Sequence, residues 1–319
     1  MIEVPSQVKL MQESIQTVAR KIKQLEIQGA TNVAIAAVKA IAISTSQTEA
    51  KSKREFIEEL FQAKEILFAT RETEPLMRNA VRYIISQVQE SNEKSTAKLV
   101  KIVSLASRRF LADLADSKET IAKIGAKRIA NRQVILTHCH SSTVTHLLKK
   151  AKQEGRNFEL VCTETRPLFQ GRITAKEMLS LGVKTTFITD SATRFFMNRV
   201  DLVITGADAI TSEGNVINKI GTSMVALVAQ EARTPFYVVS ELLKFDPATV
   251  HGNYERIEER SPNEIWKNAP KNLIIRNPAF DVTRRNFIHG IICEEGIISP
   301  HSITEVIHRK HPWVLKWIN

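Results

Sequence analysis

The chain has 319 residues, 43% hydrophobic and 25% charged, a balance that excludes a disordered or fibrous polymer and suits one large or two smaller globular domains. No apolar run reaches the roughly 18–20 residues of a membrane span, and the opening MIEVPSQVKLMQESIQ lacks the basic-then-apolar order of a secretory signal, so a cytoplasmic location is expected. The net charge of +11 favours anionic partners, and three cysteines are too few and too odd for a disulfide framework.

Up to residue 124 the only glycine is Gly29 and the only prolines are Pro5 and Pro75. Stretches free of both breakers predict helices. Apolar residues recur near helical spacing in SQVKLMQESIQTVARKIKQLEI, REFIEELFQAKEILFAT, LMRNAVRYIISQV and TAKLVKIVSLASRRFLADLADSKETIAKIGAKRI. Residues 1–125 are therefore expected to form an N-terminal helical domain or arm.

Beyond this point the texture changes. Short runs rich in Val, Ile and Phe follow one another: QVILTHC, FELVCTET, TTFITD, DLVITGAD, PFYVVS and NLIIRN. Helical segments lie between most of them, among them STVTHLLKKAKQEG, TAKEMLSLG, ATRFFMNRV and NKIGTSMVALVAQEAR. The alternation predicts an α/β fold for residues 126–319: a Rossmann-like open parallel sheet covered on both faces. No G-x-G-x-x-G follows the first strand, so a dinucleotide cofactor is not implied.

Open parallel sheets bind ligands beyond the C-terminal ends of their strands. There the first strand runs into His138, Cys139, His140, Ser141 and Ser142. Three readings are open for this segment. A metal site has the right ligand types, but neighbours on an extended chain point to opposite faces, which separates Cys139 from the two histidines. A functional thiol is favoured by the following helix, whose N-terminus lowers a thiol pKa. A buried cysteine acting as a small hydrophobe is the third reading. Cys162 reads as mid-strand core, and Cys293 as core in an apolar helix, NFIHGIICEEG. Asp208 ends an apolar strand and is a candidate for proton exchange, against a turn or capping role; Asp190 reads as an N-cap. Anion-binding features are plentiful: Ser141 and Ser142 opening a helix, Asn218 and Lys219 with Gly221 before another, Arg166, Gln170 and Arg172 in ETRPLFQGR, and Arg71 after a helical run. Together they suggest a small phosphorylated ligand.

THCHSSTV, TETRPLFQGRITAKE, DLVITGADAI, GNVINKIGTSMVALVAQEARTPFYVVSELLKFDP and RNPAFDVT, in this order, resemble one superfamily. It joins the regulatory alpha, beta and delta subunits of translation initiation factor 2B to isomerases of methylthioribose 1-phosphate and ribose 1,5-bisphosphate. The isomerases carry a Cys and an Asp where this chain has Cys139 and Asp208, and the flanking segments look most like the archaeal ribose-1,5-bisphosphate isomerases.

The resemblance implies that Cys139 and Asp208 are the catalytic pair. It implies that Gln28, Gly29, Ala30, Thr31, Arg71, Ser141, Ser142, Thr143, Asn218, Lys219 and Lys244 contact the substrate. Asp208, protonated, would assist ring opening; then either Cys139 as thiolate takes the C2 proton or a hydride shifts from C2 to C1. It further implies no metal and no cofactor, AMP as an allosteric activator, and a homo-oligomer in which dimers build a hexamer. Two departures stand out. The family's RGAG-like segment reads QGAT at Gln28–Thr31, and its TRPT reads TRET, with Glu72 after Arg71. They leave open a regulatory subunit that binds initiation factor 2 or a nucleotide, and a methylthioribose-1-phosphate isomerase.

Overall fold

The computed structural model describes residues 15–71, 73–252 and 256–316. Glu72 and the first part of the expected opening helix lie outside the described residues. The chain forms two compact units, one gathering 15–71 with Ala80–Arg109, the other 73–79 with 110–316.

The first unit is helical. It holds α1 (Ile15–Lys23), α2 (Ala30–Ser46) and α3 (Lys53–Phe68), and shares α4 (Pro75–Glu90) and α5 (Thr96–Ala126) with the second. α3 shows why these residues coil. Phe56, Leu60, Ala63 and Leu67 recur every three or four positions and are all buried, and Ser52 caps the start by accepting the Glu55 N–H. α2 is different. It buries Ala30, Val33, Ala34, Ala37, Val38, Ala40 and Ile41, a run so evenly apolar that it carries little periodic contrast.

The second unit is built on a seven-stranded sheet. Its elements in chain order are β1 (Val134–Thr137), α6 (Ser142–Gln153), β2 (Glu159–Thr163), α7 (Gly171–Ser180), β3 (Lys184–Ile188), α8 (Thr193–Met197) and β4 (Leu202–Thr205). β5 (Ala209–Ile210), β6 (Val216–Lys219), α9 (Thr222–Glu231), β7 (Phe236–Val239) and β8 (Phe280–Thr283) follow. β9 (Gly290–Cys293), β10 (Gly296–Ile298), α10 (Ile303–Lys310) and α11 (Pro312–Leu315) close the unit. The strand order is β10-β9-β7-β4-β1-β2-β3, parallel except for the β9–β10 hairpin. β5, β6 and β8 form a separate antiparallel sheet.

The parallel strands inside the sheet send alternate residues to two cores, whereas the edge strand β3 buries only Ile188. Ile135, Leu160, Cys162, Leu202 and Ile204 pack with Val144, Leu147 and Leu148 of α6 and Met178 of α7. Leu136, Val161, Val203, Val238 and Cys293 pack with Val225, Ala226 and Ala229 of α9 and Val306 of α10. A strand buried on both faces must be apolar at every position, which is why these strands read as unbroken hydrophobic runs. Each buried Leu or Ile contributes roughly 1.5–3 kcal/mol.

Three sequence readings are corrected. NLIIRN, 272–277, forms no strand, and Ile274 is 87% exposed. Cys293 lies on strand β9, not on a helix. Asn218 and Lys219 end strand β6 rather than opening α9.

Candidate active site

From β1 the sheet grows in both directions: β2 and β3 on one side, β4, β7 and β9 on the other. The connections leaving β1 and β4 therefore diverge and open a crevice at a topological switch point. Cys139 lies on the first connection and Asp208 on the second. The two connections also touch. A Cβ placed on Gly206 would lie 2.7 Å from Ser141 Oγ, so only glycine permits this approach.

Cys139 is half-buried, with a left-handed φ of 67°. Burial pushes its thiol up to about 11; Lys219 and the His140 N–H pull it down, and the charges of Asp208 and Asp190 push it up. The lowered thiol expected from the helix N-terminus is thus reversed. Desolvation outweighs the donors, and the resting thiol keeps its proton at neutral pH.

Neither neighbouring histidine is placed as a ligand with Cys139. His138 is buried, with Nδ1 2.6 Å from Thr163 Oγ1 and Nε2 2.8 Å from the Ile220 carbonyl, so both ring nitrogens are engaged. Desolvation lowers its pKa, against the pull of the Ile220 carbonyl and Asp190. His140 Nδ1 lies 3.1 Å from Thr174 Oγ1, and burial lowers its pKa too. Asp190 is not a side-chain N-cap. Its carboxylate accepts the Thr165 N–H at 2.8 Å and the Arg166 N–H at 2.7 Å, tying two strand-end loops together.

Ser141 caps α6, its Oγ accepting the Val144 N–H, and Ser142 is the first helical residue, as expected. Thr143 turns inward and donates to Glu241 Oε1 at 3.1 Å. Glu241 and Lys244 form a buried ion pair at 3.1 Å, and Lys244 Nζ also donates to the Ala207 carbonyl at 2.8 Å. Burial opposes both charges. Yet Lys244 holds the Glu241 carboxyl below its ordinary value, and Glu241 and Asp208 hold the Lys244 ammonium above its own. Lys244 thus braces the backbone beside Asp208 from below.

Asn218 is buried and donates from Nδ2 to Thr222 Oγ1 at 3.0 Å. Lys219 is half-buried, its Nζ 4.9 Å from the Phe280 ring centroid, and pairs with no carboxylate among the described residues. The N-terminus of α9 is not open to an anion. Asp281 fills it, accepting N–H groups from Gly221 at 2.8 Å and Ser223 at 3.0 Å, and burial pushes its carboxyl up to about 6. Gly221, with φ of 101°, lets His138 pack against the turn; a Cβ there would lie 2.9 Å from the ring.

The second unit thus brings together Cys139, Ser141, Ser142, Thr143, Asp208, Asn218, Lys219 and Lys244. Gln28, Gly29, Ala30, Thr31 and Arg71 belong to the first unit. There Gln28 is exposed and donates from Nε2 to the Leu25 carbonyl at 2.8 Å. Gly29 precedes α2 with φ of 83°, Ala30 and Thr31 open that helix, and Arg71 is buried after α3. Sequence reasoning placed Glu241, Thr165 and Asp190 beyond strand ends without the supporting roles they have here, and missed Asp281. The strand ends were the one signal that marked those three. A thiol, a carboxyl and a free ammonium around one crevice can exchange protons with a bound anion.

Residues 26–300 match the model of the initiation factor 2 subunit family. The chain belongs to that family. A relative from Thermococcus kodakarensis, named ribose 1,5-bisphosphate isomerase, is 39% identical over 307 residues, covering 94% of this chain and 95% of its own. Two solved structures from Pyrococcus horikoshii share the fold. One, described as translation initiation factor eIF-2B, has a TM-score of 0.78 at 29% identity, covering 90% of this chain and 97% of its own. The other, described as 5-methylthioribose 1-phosphate isomerase, has a TM-score of 0.76 at 29% identity, covering 92% and 88%. The family thus spans proteins named as sugar-phosphate isomerases and proteins named as initiation-factor subunits. Among the described residues, no helix is long and apolar enough to cross a membrane.

Proposed function

We propose that the protein is a ribose-1,5-bisphosphate isomerase, converting ribose 1,5-bisphosphate to ribulose 1,5-bisphosphate. The observation that carries this reading is the placement of Cys139 and Asp208 on the two connections that leave the switch point, with Asp208 and Lys219 both acting on the thiol. The extended likeness to a relative so named supports it.

In this reading Asp208 gives a proton to the ring oxygen as the C1–O bond breaks. The small thiolate fraction of Cys139 takes the C2 proton, leaving an enol phosphate between C1 and C2. The proton returns to C1, and the C2 hydroxyl gives its own back to Asp208 as the ketone forms. Atoms and charge balance, and each group ends as it began. Lys219 favours the anion on the thiol and the negative charge that builds on the enol. Ser141 and Ser142, at the start of α6, hold a phosphate. No metal or cofactor takes part in this scheme. AMP as an activator and a dimer-based hexamer belong to the same proposal.

The test is turnover by purified protein offered ribose 1,5-bisphosphate and methylthioribose 1-phosphate, each with and without AMP. Product from the bisphosphate is expected, with Cys139→Ser and Asp208→Asn each losing about 10²–10⁴-fold, the usual worth of a general acid or base. Folded protein that turns over neither sugar overturns the reading and favours a regulatory subunit. Turnover of methylthioribose 1-phosphate alone moves the assignment to that isomerase.

A further inference from the structure

Two residues beside the crevice hold left-handed backbone without being glycine: Cys139, with φ of 67°, and Thr165, with φ of 63°. For a β-branched residue such as Thr165 this conformation is strained. What holds it is Asp190, whose two carboxylate oxygens accept the N–H groups of Thr165 and Arg166 at 2.8 and 2.7 Å. Thr165 is fully buried, and its Oγ1 accepts the Cys139 N–H at 2.9 Å. On the other side of the same residue, the Cys139 carbonyl accepts from Thr174 Oγ1 at 3.0 Å. Both peptide groups of Cys139 are therefore fixed by threonine hydroxyls.

The hydrogen bonds continue in one direction. A carbonyl only accepts, so His138 Nε2 carries the proton it shares with Ile220, 2.8 Å away. Neutral His138 then accepts at Nδ1 from the Thr163 hydroxyl at 2.6 Å. The Thr165 hydroxyl donates toward Thr163, whose Oγ1 lies 3.4 Å and whose carbonyl 3.5 Å away, and Thr165 Oγ1 accepts from Cys139. The chain starts on the peptide that bears the thiol. It ends on the residue next to Lys219, the cation that acts on that thiol. Every member of such a buried network has its partner, which makes the arrangement rigid.

We infer that Thr165 is a positioning residue: with its backbone N–H clamped by Asp190, its hydroxyl fixes Cys139 in the left-handed conformation that keeps the thiol within reach of the Lys219 charge. The assignment concerns the thiol and stands whatever the substrate. Its kinetic consequence rests on the proposed isomerase.

The experiment is alkylation of Cys139 by iodoacetamide across the alkaline range, read by peptide mass spectrometry, in wild type, Thr165→Val and Thr165→Ser. Cys162 and Cys293 are buried and serve as internal controls. Valine keeps the branch and loses the acceptor. Valine fills the same space, so the thiol stays buried but loses its alignment with Lys219 and the His140 N–H, and alkylation at about pH 9 slows roughly tenfold, one pKa unit of thiolate; faster alkylation, the mark of a thiol that has lost its burial instead, also overturns the assignment. Serine keeps the hydroxyl and recovers most of the wild-type profile. In the isomerase, valine lowers kcat and leaves KM nearly unchanged. A wild-type alkylation profile in Thr165→Val, or equal damage from serine, overturns the assignment. Should valine not fold, Thr165→Ala removes the same hydroxyl with less strain. If neither folds while serine does, Thr165 is a structural anchor and the assignment also falls. An altered alkylation profile in a protein that turns over no sugar phosphate keeps the positioning role and removes the isomerase.

Discussion

Cys139 carries opposing influences, and their balance fixes a pH dependence. Burial, Asp208 and Asp190 push the thiol up to about 11, against Lys219 and the His140 N–H. A raised thiol pKa means that the reactive anion is scarce at neutral pH and grows about tenfold per pH unit on approach to that value. Alkylation of Cys139 is accordingly expected to climb through the alkaline range without a plateau until close to pH 11. A plateau near the ordinary thiol range would show that Lys219 wins over burial. Lys244 gives a second test at this scale. Its pair with Glu241 is buried on both sides, at 4% and 1% exposure. Lys244→Met strands a buried carboxylate and is expected to cost about 3–5 kcal/mol in denaturant unfolding, whereas the double change with Glu241→Gln recovers most of it. Equal stability of the single and double variants would mean that the charges do not depend on each other. The positions of Cys139 and Asp208 past strand ends were legible because each follows an apolar strand, whereas their pairing rested on the family resemblance alone. The roles of Thr165, Asp190 and Asp281 were not legible, because what they do depends on partners 24 to 60 positions away.

At the scale of elements, the parallel strands inside the sheet were legible for the same physical reason that makes them core: burial on both faces demands apolar residues throughout, a rule the exposed edge strand β3 escapes. β9 misled because GIIC is too short for periodicity to separate strand from helix. α2 escaped because its small apolar residues surround the helix rather than forming a stripe. The second sheet escaped because β5 has two residues and β6 runs straight into the α9 segment. The crevice itself depends on strand order, which no local pattern states. Gly206 is a close point of that order, where the end of β4 meets the cap of α6. Gly206→Ala puts a Cβ 2.7 Å from Ser141 Oγ and 2.8 Å from its Cβ, and one loop must move. The expected result is a loss of about 10²-fold in kcat/KM, the usual cost of displacing a binding group by an ångström, with a small change in Tm. An unchanged kcat/KM would mean that Ser141 does not contact the substrate.

At the scale of the whole molecule, the charge of +11 acts on any anion that approaches. Each phosphate monoester carries about −1.5 to −2 near neutral pH, so ribose 1,5-bisphosphate brings roughly twice the charge of methylthioribose 1-phosphate. Attraction to a basic surface scales with ligand charge and is screened over about 8–10 Å at ordinary ionic strength. For an isomerase of the bisphosphate, kcat/KM should therefore fall as salt rises, and the logarithmic slope should be about twice that for the monophosphate, provided both are turned over. KM carries the change while kcat stays level, because screening weakens encounter and not the proton transfers inside the crevice. Equal slopes for the two sugars would mean that the second phosphate meets no net positive field, and that the basic balance belongs to solvated helix faces remote from the ligand's path. A steep slope that survives neutralisation of Lys219 to Met would assign the attraction to the whole surface. A slope that collapses in that variant would place it at Lys219, the ammonium that acts on the Cys139 thiol.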